Sequence, residues 1–176
     1  MIIMKTSKRK GYLGRYKKGN AVLDGITIMV VLTIFAITSI YGSQIFDELN
    51  TDIQTDTTMG EEAQAISGNL YGNYNSTLDN AFLLAFVLFV IFVVVSVFVI
   101  DTHPIFFVIS IFMVIGVFVA GGMIANAYDD VVSDNEISLY ANEFPFTGWI
   151  MSHLVELILG ITFLVMIAMF TKFKAG

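Results

Sequence analysis

AFLLAFVLFVIFVVVSVFVI, residues 81–100, runs for 20 positions without a charged group; DTHP (101–104) and a second apolar run, IFFVISIFMVIGVFVAGGMIA (105–125), follow it. A hydrocarbon core of about 30 Å is crossed by about 20 helical residues, and in lipid a helix is the only single segment that bonds all of its own backbone. The stretch 81–125 therefore reads as a membrane hairpin. Asp101 or Thr102 can cap its second helix, and Pro104 suits the first turn, where a missing N–H costs nothing. His103 is the group of the turn able to change charge near neutral pH, although a lone His at an interface reads first as structural.

The rest of the chain repeats this character. Of 176 residues, 56% are hydrophobic and 14% charged, and the apolar residues fall in four blocks with polar connections. One polytopic bundle is expected, and not a soluble domain with a tail. The sequence predicts an all-α integral membrane four-helix bundle with spans at about 21–46, 81–100, 104–126 and 147–173. Residues 1–20 form a basic head, and outer loops occupy 47–80 and 127–146. The absence of Cys excludes disulfides, thiol nucleophiles and Cys-based metal sites.

The first span carries Thr27, Thr33, Thr38, Ser39, Gly42 and Ser43. Small and hydroxyl residues let helices approach closely and bond across an interface, so this span is expected to face protein. Asp24 sits near the positive end of the helix dipole, where a carboxylate is favoured without any functional role. The second span has Phe, Val, Leu and Ile on every side, which suits it to lipid contact. The third contains two small-xxx-small pairs, Gly116 with Ala120 and Gly121 with Ala125, expected to pack closely against another helix. Tyr41, Tyr128 and Trp149 mark an aromatic belt at one interface.

In the fourth span Trp149, His153, Glu156 and Gly160 recur at spacings of four, three and four, which places them on one helical face. Glu156 lies about 10 Å along the axis beyond Trp149, inside the hydrocarbon, where a charge must be neutralised, paired or turned to a wet interior. Two uses fit: half of a proton path, or a packing contact in which His153 and Glu156 bond each other and polar residues of the first span. Interruptions near a midplane, which transporters use, are expected only at Gly121-Gly122.

The outer loops follow one plan. In the first, the spacing of Ile45, Leu49 and Ile53 continues the first helix past the membrane. Thr58 with Glu61 forms a capping-box pattern opening a short helix, and Gly68, Gly72 and Asn73-Tyr74-Asn75 are expected to end it. Asn75-Ser76-Thr77 matches a glycosylation acceptor, with Ser76 or Thr77 more simply the N-cap of the second span. In the second loop, Ser133 with Glu136 repeats the capping box before a short helix, closed by Phe144-Pro145-Phe146.

Charge layout sets the expected orientation. Lys5, Lys8, Arg9, Lys10, Arg15, Lys17 and Lys18 precede the first span, Lys172 and Lys174 end the fourth, and no loop carries a basic residue. Both termini are then cytoplasmic, and the outer loops hold 12 of the 15 acids. The basic head suits anionic lipid headgroups, with nucleic acid as the other ligand of that chemistry.

No phosphate loop, dinucleotide fingerprint, H-E-x-x-H or activated nucleophile is visible, and no cofactor is implied. A non-enzymatic structural or assembly membrane protein is expected. Its partners would be the lipid bilayer, further copies of itself, and other membrane or capsid proteins. The alternatives are an oligomeric pore, holin-like or proton-conducting, and an accessory subunit of a membrane complex.

Two resemblances add to this. KKGNAVLD, residues 17–24, resembles the processing site of type IV prepilins: a basic pair, Gly, and an acid five positions after the cut. Asp24 stands where Glu is usual, and the later spans have no pilin counterpart. Across the whole chain, the basic head before a hydroxyl-rich first span and the central IDTHPIFF (100–107) resemble small polytopic membrane proteins of prokaryotic viruses. That resemblance implies assembly into a virion or its precursor membrane, with the basic head near genome or capsid.

Overall fold

A computed structural model describes residues 21–99 and 104–175, with side chains placed at 25–96 and 114–171. The basic head, Gly19, the Asp24 side chain and the turn residues Asp101, Thr102 and His103 lie outside the described residues. The elements are α1 (Ala21–Thr55), α2 (Glu61–Val99), α3 (Pro104–Val132), α4 (Ile137–Ala141), α5 (Pro145–Ser152) and α6 (Leu154–Ala175). No strand occurs among the described residues, and four helices are long and apolar enough to cross a membrane.

The first two helices are longer than a bilayer needs. With 35 and 39 residues, they extend about 52 and 58 Å against a hydrocarbon thickness of about 30 Å. The surplus lies at the end carrying the loops 56–60 and 133–144, here the loop end. There α1 continues to Thr55, as its spacing predicts. The expected break in α2 is absent: the helix passes unbroken through Gly68, Gly72 and Asn73-Tyr74-Asn75. Tertiary contact overrides weak local propensity here. Gln54 Nε2 donates to the Gln64 carbonyl at 2.7 Å, Ser67 Oγ to Asn50 Oδ1 at 3.0 Å, and the Phe46 and Tyr74 rings lie 4.6 Å apart. Those bonds hold this part of α2 on α1 as one helical pair.

Both capping boxes are replaced by Asp turns. Asp56 Oδ1 accepts the N–H and the hydroxyl of Thr58, at 2.8 and 2.7 Å, and Asp134 Oδ1 accepts the Glu136 N–H at 2.9 Å. At Thr58 the hydroxyl donates to the Asp56 carboxylate instead of accepting as an N-cap, and at Glu136 the Asp134 carboxylate takes the N–H that a capping Ser133 would have bound. Ser76 is internal to α2 and bonds back to the Asn73 carbonyl at 3.3 Å, so it caps nothing.

Around the bundle, α1 packs against α2 and α3, and α6 packs against the same two. The consecutive helices α2 and α3 thus stand diagonally across it. The stretch that reads as a hairpin supplies two opposite walls and not one packed pair. On α1 the inward stripe is narrow: Met29, Thr33, Ala36, Ile40 and Ser43, at alternating spacings of four and three, are all buried. The expected cross-interface hydroxyl bonds are not made by Thr33 and Ser39. Thr33 Oγ1 and Ser39 Oγ donate to the carbonyls of Met29 and Phe35 in their own helix, at 2.9 and 2.8 Å. Their bonding need is met locally, and they serve the interface through size.

Despite its all-round apolar sequence, α2 has an inward face. Asn75, Asp79, Phe82, Phe86 and Phe89 are buried, and Phe82 stacks on Phe35 at 6.3 Å. Leu84, Leu88, Phe92 and Val95 are exposed and form the apolar wall expected for lipid. Tyr128 is 2% exposed, so it belongs to the core and not to an interfacial belt; Tyr41 and Trp149 are exposed.

Candidate functional site

The predicted polar face of the fourth span sits on a broken helix. Between α5 and α6, His153 adopts φ −109° and ψ 19°. Its N–H donates to the Trp149 carbonyl at 3.2 Å, and its carbonyl accepts from Leu157 N–H at 2.9 Å. Glu156 therefore occupies the first turn of a new helix, where the dipole favours a carboxylate. Neither Gly nor Pro marks this interruption, so the expectation of one only at Gly121-Gly122 is corrected; those glycines are continuous within α3.

Trp149, His153, Glu156 and Gly160 do share a side, but it is the outside of the bundle: all four are exposed. The Trp149 and His153 rings stack at 5.0 Å, and His153 Nδ1 lies 2.9 Å from the Trp149 carbonyl and 3.0 Å from Ser152 Oγ. The packing contact in which His153 and Glu156 bond each other and the first span is not formed. His153 is held by its own turn, and Glu156 has no hydrogen-bond partner among the described residues. Both side chains are exposed on the outer wall, so within one copy they do not line the interior of the bundle.

The small-residue pairs of α3 divide. Gly121 and Ala125 are buried, and a Cβ on Gly121 would collide with Ile158 Cδ1 of α6. Gly116 is exposed with nothing beside it, and Ala120 is half-buried. The two pairs lie on different sides of the helix, and among the described residues Gly121 meets a neighbouring helix where Gly116 does not.

A second polar group, not foreseen from the sequence, lies at the loop end. Asp79, 3% exposed, faces the start of α5. Its Oδ2 accepts the Phe146 N–H at 3.0 Å, and its Oδ1 accepts the N–H and hydroxyl of Thr147 at 2.7 and 2.8 Å. The residue at the N-cap position of α5 is Phe144, which has no side-chain acceptor. A helix start buried in a core needs acceptors from elsewhere, and α2 provides one. That mismatch, FPFT with no capping side chain of its own, is the signal that could have located Asp79.

Neighbouring bonds extend the same fastening. Asn75 Nδ2 donates to Glu143 Oε2, and Tyr140 donates its hydroxyl to Asp47 Oδ2 at 3.1 Å. Desolvation first, then the bond to Asp47 and the charges of Asp47, Glu48 and Glu143, raise Tyr140 above the usual phenol range. Ser43 Oγ and Asn75 Oδ1 are buried without a partner. Among the described residues no three His, Asp or Glu side chains converge to hold a metal. Chemically, the arrangement clamps the segment 140–147 onto α1 and α2, and both oxygens of its buried carboxylate, Asp79, are engaged in doing so.

Compared with known proteins, the chain matches no protein-family model, no curated protein and no solved structure.

Proposed function

We propose that this chain is a non-enzymatic structural or assembly protein of a membrane. The observation that carries the reading is the use made of Asp79. A buried carboxylate is the group most able to perform chemistry, and here both its oxygens are occupied by α5. The result is a firm polar cap on a lipid-embedded bundle, the form suited to presenting defined contacts at a membrane surface. In this reading both termini are cytoplasmic and the acidic cap faces outward. The charge layout supports that orientation, with seven of nine basic groups before the first span and none in the loops. The specific form is a virion-membrane component of a prokaryotic virus, supported by the resemblance of the basic head, hydroxyl-rich first span and central IDTHPIFF.

Native mass spectrometry of the protein extracted from its source membrane in mild detergent tests this. A stoichiometric assembly of copies of the chain beyond a dimer, or of the chain with other membrane or capsid proteins, is expected. Recovery as a companion-free monomer or dimer, or as one subunit of a catalytic complex, would contradict it. One observation favours a second reading, an oligomeric pore: Glu156 and His153 lie on the outer wall, so copies meeting there would enclose them. Conductance abolished by both Glu156→Gln and His153→Ala would establish that reading.

A further inference from the structure

Within the membrane-level parts of the four helices, residues 25–46, 81–96, 114–126 and 154–171, Glu156 is the one Asp, Glu, Lys, Arg or His side chain, and it is exposed. Its depth follows from packing. Gly121 lies against Ile158, so Ile158 sits seven residues, about 10 Å, below Tyr128 at the end of the apolar part of α3, and Glu156 sits about 7 Å below it. A carboxyl group at that level facing lipid loses its water, and the dipole of the helix start returns only a small part of that cost. The other exposed walls carry Leu84, Leu88, Phe92 and Val95 on α2, and Ile115, Val119 and Met123 on α3, which lipid solvates well.

The surroundings of Glu156 have a definite pattern. His153, Glu156, Gly160, Phe163, Ile167 and Phe170 alternate at spacings of three and four, and all are exposed. This is the repeat of a helix seam that meets another helix. Gly160 offers a surface on which an added Cβ meets nothing, leaving room for a close neighbour. His153 presents Nε2 outward, because Nδ1 is engaged by the Trp149 carbonyl and Ser152 Oγ.

We propose that this face is the contact with a second copy of the chain, in which the Glu156 carboxyl of each copy bonds His153 Nε2 of the other across a two-fold axis along the membrane normal. A second copy is the occupant because the face is self-complementary. It presents a carboxyl group and an imidazole one helical turn apart, and copies inserted with the same topology lie parallel. Glu156 of one then falls between His153 and Gly160 of the other, as a seam residue does in a parallel pair. The contact rests on the assembly reading above only for its purpose.

The chain contains no Cys, so single cysteines report contact directly. In the full chain reconstituted in phosphatidylcholine and phosphatidylglycerol vesicles, Gly160→Cys and Phe163→Cys under mild oxidation should form covalent dimers. Leu88→Cys and Met123→Cys, on exposed parts of α2 and α3, should not. Adding Glu156→Leu to Gly160→Cys removes both symmetry-related bonds of the dimer and should slow dimer formation about tenfold, as expected for two interhelical polar bonds of about 0.6–0.7 kcal/mol each in a membrane. Glu156→Gln, which still bonds, should retain most of the rate, and circular dichroism should show every variant equally helical. Equal crosslinking at all four positions, none at 160 and 163, or indifference to Glu156→Leu overturns the proposal. Crosslinking at 160 and 163 with no larger assembly in native mass spectrometry would leave the contact standing and remove the scaffold reading; the reverse pair of results would do the opposite.

Discussion

Replacing Asp79 by Ala should be the most damaging single polar substitution at the loop end. It removes three accepted bonds at 2.7–3.0 Å and leaves two backbone N–H groups, of Phe146 and Thr147, at a buried helix start. The Thr147 hydroxyl can turn to another acceptor; the N–H groups are fixed by the helix. At about 1–3 kcal/mol for each of the two unpaired donors, the loss should be about 2–6 kcal/mol, a large part of the roughly 5–15 kcal/mol that holds a domain folded. Asp79→Asn keeps one acceptor oxygen and should cost about half as much, and Thr147→Val, which removes one hydroxyl, about 1 kcal/mol. The single Trp of the chain, Trp149, lies in α5 two residues beyond Thr147. Its fluorescence during denaturant unfolding in mixed micelles therefore reports the clamped helix, and far-ultraviolet circular dichroism reports the bundle. Asn80→Ala, an exposed neighbour, is the control and should stay within about 0.5 kcal/mol. An Asp79→Ala midpoint no lower than that of Asn80→Ala would refute the role given to this carboxylate.

Three further outcomes follow from named contacts. Gly121→Ala should destabilise by about 1–3 kcal/mol because its methyl collides with Ile158 Cδ1, and Ile158→Val, which deletes that atom, should recover part of the loss. Gly116→Ala, with open space around it, should be neutral or slightly stabilising; equal effects at the two positions would contradict the packing described. The Thr58 hydroxyl, then its N–H, holds Asp56 below the ordinary carboxylate value of 3.8. A depressed folded value stabilises the turn above pH 3.8 and loses that contribution as pH falls through the lowered value; Thr58→Ala should raise the Asp56 value toward 3.8 in an NMR titration, and no rise would remove the bond's role. Vesicles carrying the wild-type chain should hold an ion gradient as well as those carrying Glu156→Gln or His153→Ala. A leak in the wild type alone would favour the pore.

Much of the fold was legible because lipid imposes a simple rule. Long uncharged runs must be helices, so the four spans and the continuation of α1 through Ile45, Leu49 and Ile53 could be read directly. What hydropathy does not encode is which faces meet. The run 81–100 is apolar on every side, and only the packed structure selects Phe82, Phe86 and Phe89 as inward. Local signals misled where long-range bonds overrule them: Gly68 and Gly72 should weaken a helix, yet α1 holds that segment through Asn50 and Gln54. The candidate face was half legible. Spacing placed Trp149, His153, Glu156 and Gly160 together, but a period says nothing about inside and outside, and the kink at His153 has no Gly or Pro to announce it. Asp79 was missed because a carboxylate just before an apolar run looks like an interfacial charge; its partner, the start of α5, is 67 residues away in sequence.

One labelling experiment tests the central claim, a four-span bundle presenting its acidic cap on a single side of the membrane. In the Cys-free background, Thr57→Cys and Asn135→Cys report the two loops, and Gly11→Cys and Gly176→Cys the two termini. On intact cells a membrane-impermeant maleimide should label positions 57 and 135, and should reach 11 and 176 only after lysis. Labelling of 57 or 135 together with either terminus from the same side would contradict the four-span arrangement.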